Sequence, residues 1–375
     1  MEVVTRLYSK LKQHQITINF AWRVGKLVHH TLPTHTTKFL RKTEYDKQLK
    51  FSANQAQYVS GINTHLDTVI PPINPVPIQE ISNPVLTGND VTDFGSVDFV
   101  ADPFLLPTAA GWHMFFEVFN YDRTPDAAIG RAWSKDGVEW EYKGIVLETD
   151  KHLSFPYTLH HEGTYFLKPE TGGDTSCEVE LYKASDFPTT WTHCQTLLSN
   201  DHQTDDEVLF YWQGYWWLLV GDASIDGSYL YYSTELESNK WKSHQMNPII
   251  HDRPKAYRPA GRPIVYDDKI IMFFQDCTIK YGEKVRAYSW KALTPDTFEE
   301  SELPWSPILT GSQSKIGWNS GRMHHIDAWL VDDYWLCAVD GNVSNEKLFT
   351  NDHWSIGIYS APAKVDASFD SSIHP

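Results

Sequence analysis

The chain has 375 residues, 41% of them hydrophobic and 14% aromatic, enough to bury one large β domain or two smaller ones. Its net charge of −16 excludes nucleic acid as the partner of most of the molecule, because phosphates would meet a repulsive field. The charge is uneven: through Lys50 there are 10 Lys and Arg against 3 Asp and Glu.

That basic start reads as helical. Val3, Val4, Leu7 and Leu11 fall at helical spacing with Arg6, Lys10 and Lys12 between them, and Phe20, Trp22, Leu27 and Val28 continue an apolar, basic pattern. Such a segment either packs as a surface helix on the domain that follows or makes peripheral contact with an anionic membrane or a partner through residues 1–50. No stretch nears the ~20 apolar residues of a spanning helix, and the start lacks the apolar core of a secretory signal. Cys177, Cys194, Cys277 and Cys337 are scattered, without the close pairs of a zinc site. A cytoplasmic protein is expected, membrane-associated if the basic segment meets lipid. From Ile62 to Thr87 the residues Pro71, Pro72, Pro75, Pro77 and Pro84 predict an extended linker. Residues 1–90 thus read as an N-terminal extension.

Beyond it one pattern repeats five times: an apolar strand, a tight polar turn, and an aromatic strand ending in a carboxylate. The copies are ADPFLLPTAAGWHMFFE, FPYTLHHEGTYFLKPE, DEVLFYWQGYWWLLVGD, RPIVYDDKIIMFFQD and HIDAWLVDDYWLCAVD. Their turns centre near Gly111, Gly163, Gly214, Asp268 and Asp333, in steps of 52, 51, 54 and 65 residues. A period of about 50 accommodates a four-stranded antiparallel blade and overfills a ~34-residue helical hairpin. Each unit has a second half of alternating residues closed by a bulky one: Trp140, Trp191, Trp241 and Phe298, with WSIGIYSAPAKV as the fifth. Large aromatics at one place in each unit are expected to wedge neighbouring sheets together. The prediction is an all-β fold, a five-bladed β-propeller over residues 91–375 with a short helical or extended N-terminal extension.

Propeller topology says where chemistry would gather. The residues opening the innermost strands form a ring at one mouth: Asp102, Phe155, Asp206, Arg262, and His325 with Asp327. Each second strand runs back and returns its last residue there: Glu117, Glu170, Asp222, Asp276 and Asp340. Crowded carboxylates raise one another's pKa and an adjacent Arg or His lowers it, so such a mouth can hold one acid protonated beside another ionised. That division is what glycosidic chemistry requires. The same acids would equally serve as turn caps accepting backbone N–H bonds. His324 and His325 are adjacent; on a strand only one faces the axis, and His325 is expected there with Asp327 on the same face. Arg258, Arg262, Arg286 and Arg322 gather around blades four and five, as a lip for a phosphate or carboxylate ligand or as partners of nearby acids. Trp212, Trp216, Trp217, Trp318 and Trp329 would be sugar-stacking platforms or core. Carboxylates with a histidine could hold a Ca²⁺ at the propeller axis, but their spacing matches no calcium-loop motif. No cofactor is expected.

The segments FVADPFL, GWHMFFEVFN, KHLSFPYTL, YFLKPE, DFPTTW, GRPIVYDDKI, QDCTIKYG, KVRAY, WNSGRMHHIDAW and VDG together resemble the propeller-like N-terminal domain of plant glucosamine inositolphosphorylceramide transferases and their bacterial relatives. More distantly the chain is similar to the five-bladed arabinanase, levansucrase and invertase superfamily, including glycoside hydrolase family 43. The wider resemblance implies that Asp102 is the general base or nucleophile, that Asp206 lies near the blade-three acid, and that His325 is the axial histidine. At the blade-two position of the acid that tunes pKa in hydrolases, this chain has Phe155, with Glu170 the candidate to supply the charge. In the plant proteins transfer is attributed to a separate C-terminal glycosyltransferase domain, which these 375 residues do not include, and no Asp-x-Asp motif occurs.

Three functions are compatible with these residues. The first is a glycosyl transferase or phosphorylase-like enzyme of surface-glycan or glycolipid assembly: Asp102 is the base, Asp206 or Glu170 assists charge development, and Arg262 with Arg322 holds a phosphorylated donor. His152, Gln275, Asp276, Trp318, His325 and Asp327 complete the expected sugar or sugar-phosphate contacts. The second is a glycoside hydrolase acting on a furanoside or related glycan, with Asp206 and Asp102 as acid and base. The third is a non-catalytic glycan-binding propeller.

Overall fold

The five sequence copies fold into five antiparallel sheets around one axis, a five-bladed β-propeller. The computed structural model describes residues 51–53, 56–57, 73–172, 178–200, 202, 204–266, 269–312, 317–343 and 353–363. The basic segment read as an amphipathic helix lies outside them. Among the described residues no helix is long and apolar enough to cross a membrane.

Blade one runs outward through Phe99–Thr108, Gly111–Phe119, Ala127–Ser134 and Glu141–Leu147. Blade two follows with His152–His161, Thr164–Gly172, Glu178–Asp186 and Thr190–Ser199, and blade three with Asp205–Trp212, Tyr215–Asp222, Gly227–Ser233 and Lys242–Ser243. In blade four the inner strand is split into Arg258–Pro259 and Ile264–Tyr266, both paired with Lys269–Asp276; Lys284–Thr294 and Thr297–Glu302 complete it. Blade five has Ile326–Val331, Tyr334–Asn342 and Trp354–Pro362.

The ring is sealed by chain that precedes blade one. Val76–Pro77 pairs with Tyr359 and Ser360 as the outermost strand of blade five, and Leu86 bridges Ile356. Within the Pro-rich stretch read as a linker, Val76–Pro77 is therefore an edge strand of the propeller, while residues 62–72 lie outside the described residues. An edge position tolerates proline because one row of its backbone groups needs no ladder partner. Asn83 completes the seam, its Nδ2 donating to Ile358 O at 3.0 Å and its Oδ1 accepting from Ile358 N at 2.8 Å. Replacing Asn83 with alanine removes both bonds at the closure, and a loss of about 1–3 kcal/mol in unfolding free energy is expected by urea titration.

The core lies between blades. Trp112, Trp216 and Trp335 occupy equivalent positions one step in from the first hairpin of their blades and are 0%, 3% and 0% exposed. Of the aromatics expected as wedges, Trp191 meets Phe115 of blade one edge-on at 5.5 Å. Between blades three and four that role falls to Trp290, edge-on to Phe210 at 5.8 Å, with Phe298 packed behind it at 4.9 Å. Trp140 packs partly buried against the core, its Nε1 donating to Gly137 O at 3.2 Å as Trp191 Nε1 does to Pro188 O.

One local device positions the site. The innermost strands of blades one, two and three carry the same bulge, seen as register breaks between Ala101 and Phe104, Ser154 and Tyr157, and Asp205 and Val208. At its centre Asp102, Phe155 and Asp206 adopt φ of 53°, 43° and 47°. A left-handed non-glycine residue costs on the order of 1–3 kcal/mol. The three equivalent residues are turned out of the strand's alternation, and two of them, Asp102 and Asp206, line the axial cavity.

Candidate active site

Asp102, Glu117, Glu170 and Asp206 line one cavity of about 190 Å³ at the mouth of the axis, with Arg258, His324, His152 and Tyr281. Four carboxyls from three blades thus meet across distances in sequence that only ring closure can bridge.

Arg258, the first residue of the blade-four inner strand, organises one side. Its Nε donates to Asp206 Oδ2, its Nη1 to Asp205 Oδ1 at 3.0 Å, and its Nη2 to Glu170 Oε2 at 3.5 Å. Gln275 Nε2 also donates to Asp206 Oδ2, at 2.6 Å, and the Asp206 N–H donates to Glu170 Oε2 at 2.7 Å. Burial pushes the Asp206 carboxyl up, but the Arg258 charge and these bonds outweigh it and hold Asp206 below the usual carboxylate range. Glu170 goes the other way: burial, then the charge of Asp206, raises it well above its ordinary value.

Asp340 organises the other side. Its Oδ1 accepts the backbone N–H groups of His324 and His325, each at 3.1 Å, and its Oδ2 stands 2.7 Å from His324 Nδ1. Burial disfavours both charges, yet the pairing lowers Asp340 and raises His324, which favours the ion pair. His324 stacks on Trp354 at 4.0 Å, with its Nε2 3.7 Å from Asp102 Oδ1. Asp102 has its pKa raised to about 7, by burial first, with His324 opposing and Asp206 and Asp340 adding to it. Burial also raises Glu117 well above its usual range, helped by Asp102 and Asp206. The cavity therefore favours the ionised form at Asp206 and Asp340 and the protonated form at Glu117 and Glu170, with Asp102 changing state near pH 7.

Several expected positions fall elsewhere. The guanidinium facing the acids is Arg258; Arg262 lies four residues on, beyond the bend of its split strand. Its Nε donates to Asp327 Oδ1 at 2.7 Å, and Leu105 N–H donates to Asp327 Oδ2 at 2.6 Å. Arg262 and Asp327 therefore tie blades one, four and five together inside the ring and do not line the cavity. His325 faces the axis as expected, edge-on to Phe104 and Phe155 with its Nδ1 3.7 Å from Asp102 Oδ1, but the histidine that lines the cavity is its neighbour His324. The alternation rule does not apply, because both histidines precede the strand Ile326–Val331 and hang from Asp340 through their backbone N–H groups. His325 is fully buried, its Nε2 3.1 Å from Pro103 O, and burial lowers its pKa to about 4.

Of the second-strand acids, Glu117 and Glu170 line the cavity and Asp340 anchors its histidine. Asp222 and Asp276 cap turns: Asp222 Oδ1 accepts Ser224 N–H at 2.8 Å, and Asp276 Oδ1 accepts Thr278 N–H at 3.0 Å. Trp212, Trp216, Trp217 and Trp329 are buried among the blades, and Trp318 packs on Gly341 and Gly357. The cavity's aromatics are Phe99, Phe119, Tyr121, Tyr281 and Trp354. Arg322 sits beside the mouth, donating to Tyr281 O at 2.7 Å above the Trp354 ring. Glu117 and Asp340 stood in the second sequence ring, Arg258 in the basic lip and His324 beside His325, none of them singled out for the chemistry; the available signals were the pairing of Glu117 beside the Asp102 bulge and the HHID run.

Asp102, His324 and Asp340 place one potential metal-ligand atom each within 4.8 Å of one another. His324 already pairs with both carboxyls, its Nδ1 2.7 Å from Asp340 Oδ2 and its Nε2 3.7 Å from Asp102 Oδ1. Two carboxylates and an imidazole would leave most of calcium's 6–8 oxygen positions to water. The residues fit an ion-pair network better than a calcium site.

The architecture is shared with solved glycosidases. The catalytic domain of a GH62 α-L-arabinofuranosidase from Coprinopsis cinerea superposes with a TM-score of 0.51 at 12% identity, over 70% of this chain and 91% of that one. A thermostable family-43 glycoside hydrolase gives 0.53 at 14% identity, over 74% and 91%. Likeness at this identity carries the fold alone. In sequence, the glucosamine inositolphosphorylceramide transferase 1 of Oryza sativa subsp. japonica is 34% identical over 273 residues, which cover 70% of this chain and 36% of the relative. That of Arabidopsis thaliana is 31% identical over 279 residues, 72% and 36%. The chain thus spans about a third of the length of the curated relatives it matches. The model of the family described as glucosamine inositolphosphorylceramide transferase 1, N-terminal, matches residues 74–342, from the strand that closes the ring to the last strand but one of blade five, and the chain belongs to that family.

Proposed function

We propose that the axial cavity is the active site of a carbohydrate-active enzyme that transfers a glycosyl unit in glycolipid assembly. The observation that carries the reading is the coexistence, in one cavity, of an anion fixed by Arg258, two neutral carboxyls, and Asp102 with its pKa near 7. Asp102 takes the proton of an acceptor hydroxyl, and the Asp206 carboxylate stabilises positive charge developing at the anomeric carbon. A neutral glutamic acid, Glu117 or Glu170, protonates the departing oxygen. Asp206 is a poor proton donor because Arg258 keeps it ionised. Arg322, beside the mouth over the Trp354 ring, is the cation placed to meet a donor phosphate. The relatives' name points to a glucosamine-bearing donor and an inositolphosphorylceramide acceptor. Such an acceptor accords with a cytoplasmic, membrane-associated protein whose basic N-terminal segment contacts lipid.

The test is incubation of the full chain with labelled sugar nucleotides and inositolphosphorylceramide in detergent. Labelled glycolipid supports the reading. Free sugar from aryl glycosides, with no glycolipid, replaces it by hydrolysis. Ligand binding without product from any donor leaves a glycan-binding propeller. The rate should climb as pH rises through about 7, where Asp102 loses its proton, and fall at higher pH as the raised glutamic acids ionise. A profile flat between pH 6 and 8 would remove Asp102 as the base.

A further inference from the structure

Glu117 is 7% exposed and faces the cavity, yet no hydrogen bond to its carboxyl is made among the described residues. His152 Nε2 stands 3.7 Å from Glu117 Oε1, and His152 Nδ1 is 2.8 Å from Asp126 Oδ1. The three side chains come from different places. Glu117 is on the second strand of blade one, Asp126 just before its third, and His152 opens blade two. Side-chain exposure falls along the line from 41% at Asp126 through 26% at His152 to 9% at Glu117. A buried acid is thus connected to solvent through an imidazole.

The proton positions follow from the charges. The hydrogen bond from His152 lowers the Asp126 pKa, so Asp126 is a carboxylate and His152 Nδ1 carries the proton it accepts. That fixes the tautomer and aims Nε2 at Glu117, the logic of a carboxylate-oriented histidine. Phe119, whose ring lies 6.0 Å from that of His152, limits how the imidazole can turn. The charged groups bearing on Glu117 are Asp102, Asp206, Asp126 and Asp340, which with burial favour its protonated form.

We propose that Asp126, His152 and Glu117 form a proton relay in which Glu117 is the rechargeable acid of this cavity, an assignment that rests on the glycosyl-transfer reading above. In the step, the Glu117 O–H bond breaks and its proton passes to the leaving oxygen. The bond from the anomeric carbon to that oxygen breaks, its electron pair staying on the oxygen. His152, still donating Nδ1–H to Asp126, then takes a proton from water at the mouth on its Nε2 and passes it to the Glu117 carboxylate, leaving hydroxide. The acceptor's proton, held by Asp102, returns to solvent, so protons balance. Glu117 is the catalytic residue, His152 its shuttle, and Asp126 a positioning residue.

Two arms of one experiment test the relay on the full chain. In the first, histidine-labelled protein is titrated by NMR, with the His152 signals assigned by loss in His152→Gln. Glu117→Gln should move the His152 midpoint by about half a pH unit or more, and Asp126→Asn should abolish its preference for the Nδ1–H tautomer. Superimposable His152 titrations in wild type and Glu117→Gln overturn the relay. In the second, His152→Gly should lose about ten-fold or more in transfer, regained on adding imidazole, with thermal melting checked for both histidine variants. Wild-type transfer rates in His152→Gln, or no recovery with imidazole, also overturn it. A wild-type protein without turnover on any donor sinks the glycosyl-transfer reading, while the titration still decides whether the three groups exchange protons.

Discussion

Asp102→Asn is expected to lower transfer by roughly 10²–10⁴-fold, the range for loss of a general base, while the protein stays folded. The amide matches the carboxyl in shape, so the bulge at φ 53° is kept, asparagine being among the residues that accept this conformation. The Asp102 backbone N–H still donates to Asp340 Oδ2 at 3.3 Å. What disappears is the group that ionises near pH 7. Burial and the charges of Asp206 and Asp340 push that carboxyl up, so removing a charge there relieves repulsion, and the melting temperature should hold or rise above pH 7. Turnover measured beside thermal melting separates the two effects. Unchanged turnover on the donor that wild type uses would dismiss Asp102 from the chemistry.

The second large effect is expected at Arg258, and it is one of stability. Arg258→Met leaves Asp205, Asp206 and Glu170 without their shared guanidinium where all three are largely buried at or beside the cavity wall. Breaking one partner out of a buried ion pair costs about 3–5 kcal/mol. The cost should depend on pH in a definite direction. In the wild type Asp206 is held below its unfolded pKa, so its pairing stabilises the fold above the unfolded pKa near 4, and that stability is lost as pH falls through the folded value. Without Arg258 the carboxyls protonate more readily, so the variant should approach wild type near pH 5 and fall furthest behind near pH 8. Urea titrations at the two pH values measure the difference. An equal deficit at both would show that Arg258 contributes packing rather than charge. Arg258→Lys should recover part of the loss, since an ammonium supplies charge without the fork that reaches three carboxyls.

The blades themselves were legible in the sequence, because strand periodicity and hairpin turns are local properties. A strand shows its alternation within eight residues, and five copies at a near-constant step leave few architectures that bury them all. The acids were legible to the same degree: a residue near the start of an inner strand, such as Asp102 or Asp206, lies toward one mouth of a propeller. Glu170 could be placed there too, since the hairpin returns it beside Ser154.

What the pattern could not supply is everything set by long-range contact. Arg258 and Arg262 are equally basic and four residues apart, and only the break in the blade-four strand puts one against Asp206 and the other against Asp327. His325 faces the axis as expected, and the sequence did not show that His324 would line the cavity, because that depends on Asp340, from the neighbouring strand, holding both backbone N–H groups. The Pro-rich stretch reads as a linker in isolation, and its Val76–Pro77 becomes an edge strand only when blade five arrives to pair with it. Local sequence determines which segments are strands and which residues end them. Burial and the charges brought near decide which carboxyl holds a proton, and both are properties of the closed ring, because electrostatic interaction depends on distance in space and not along the chain.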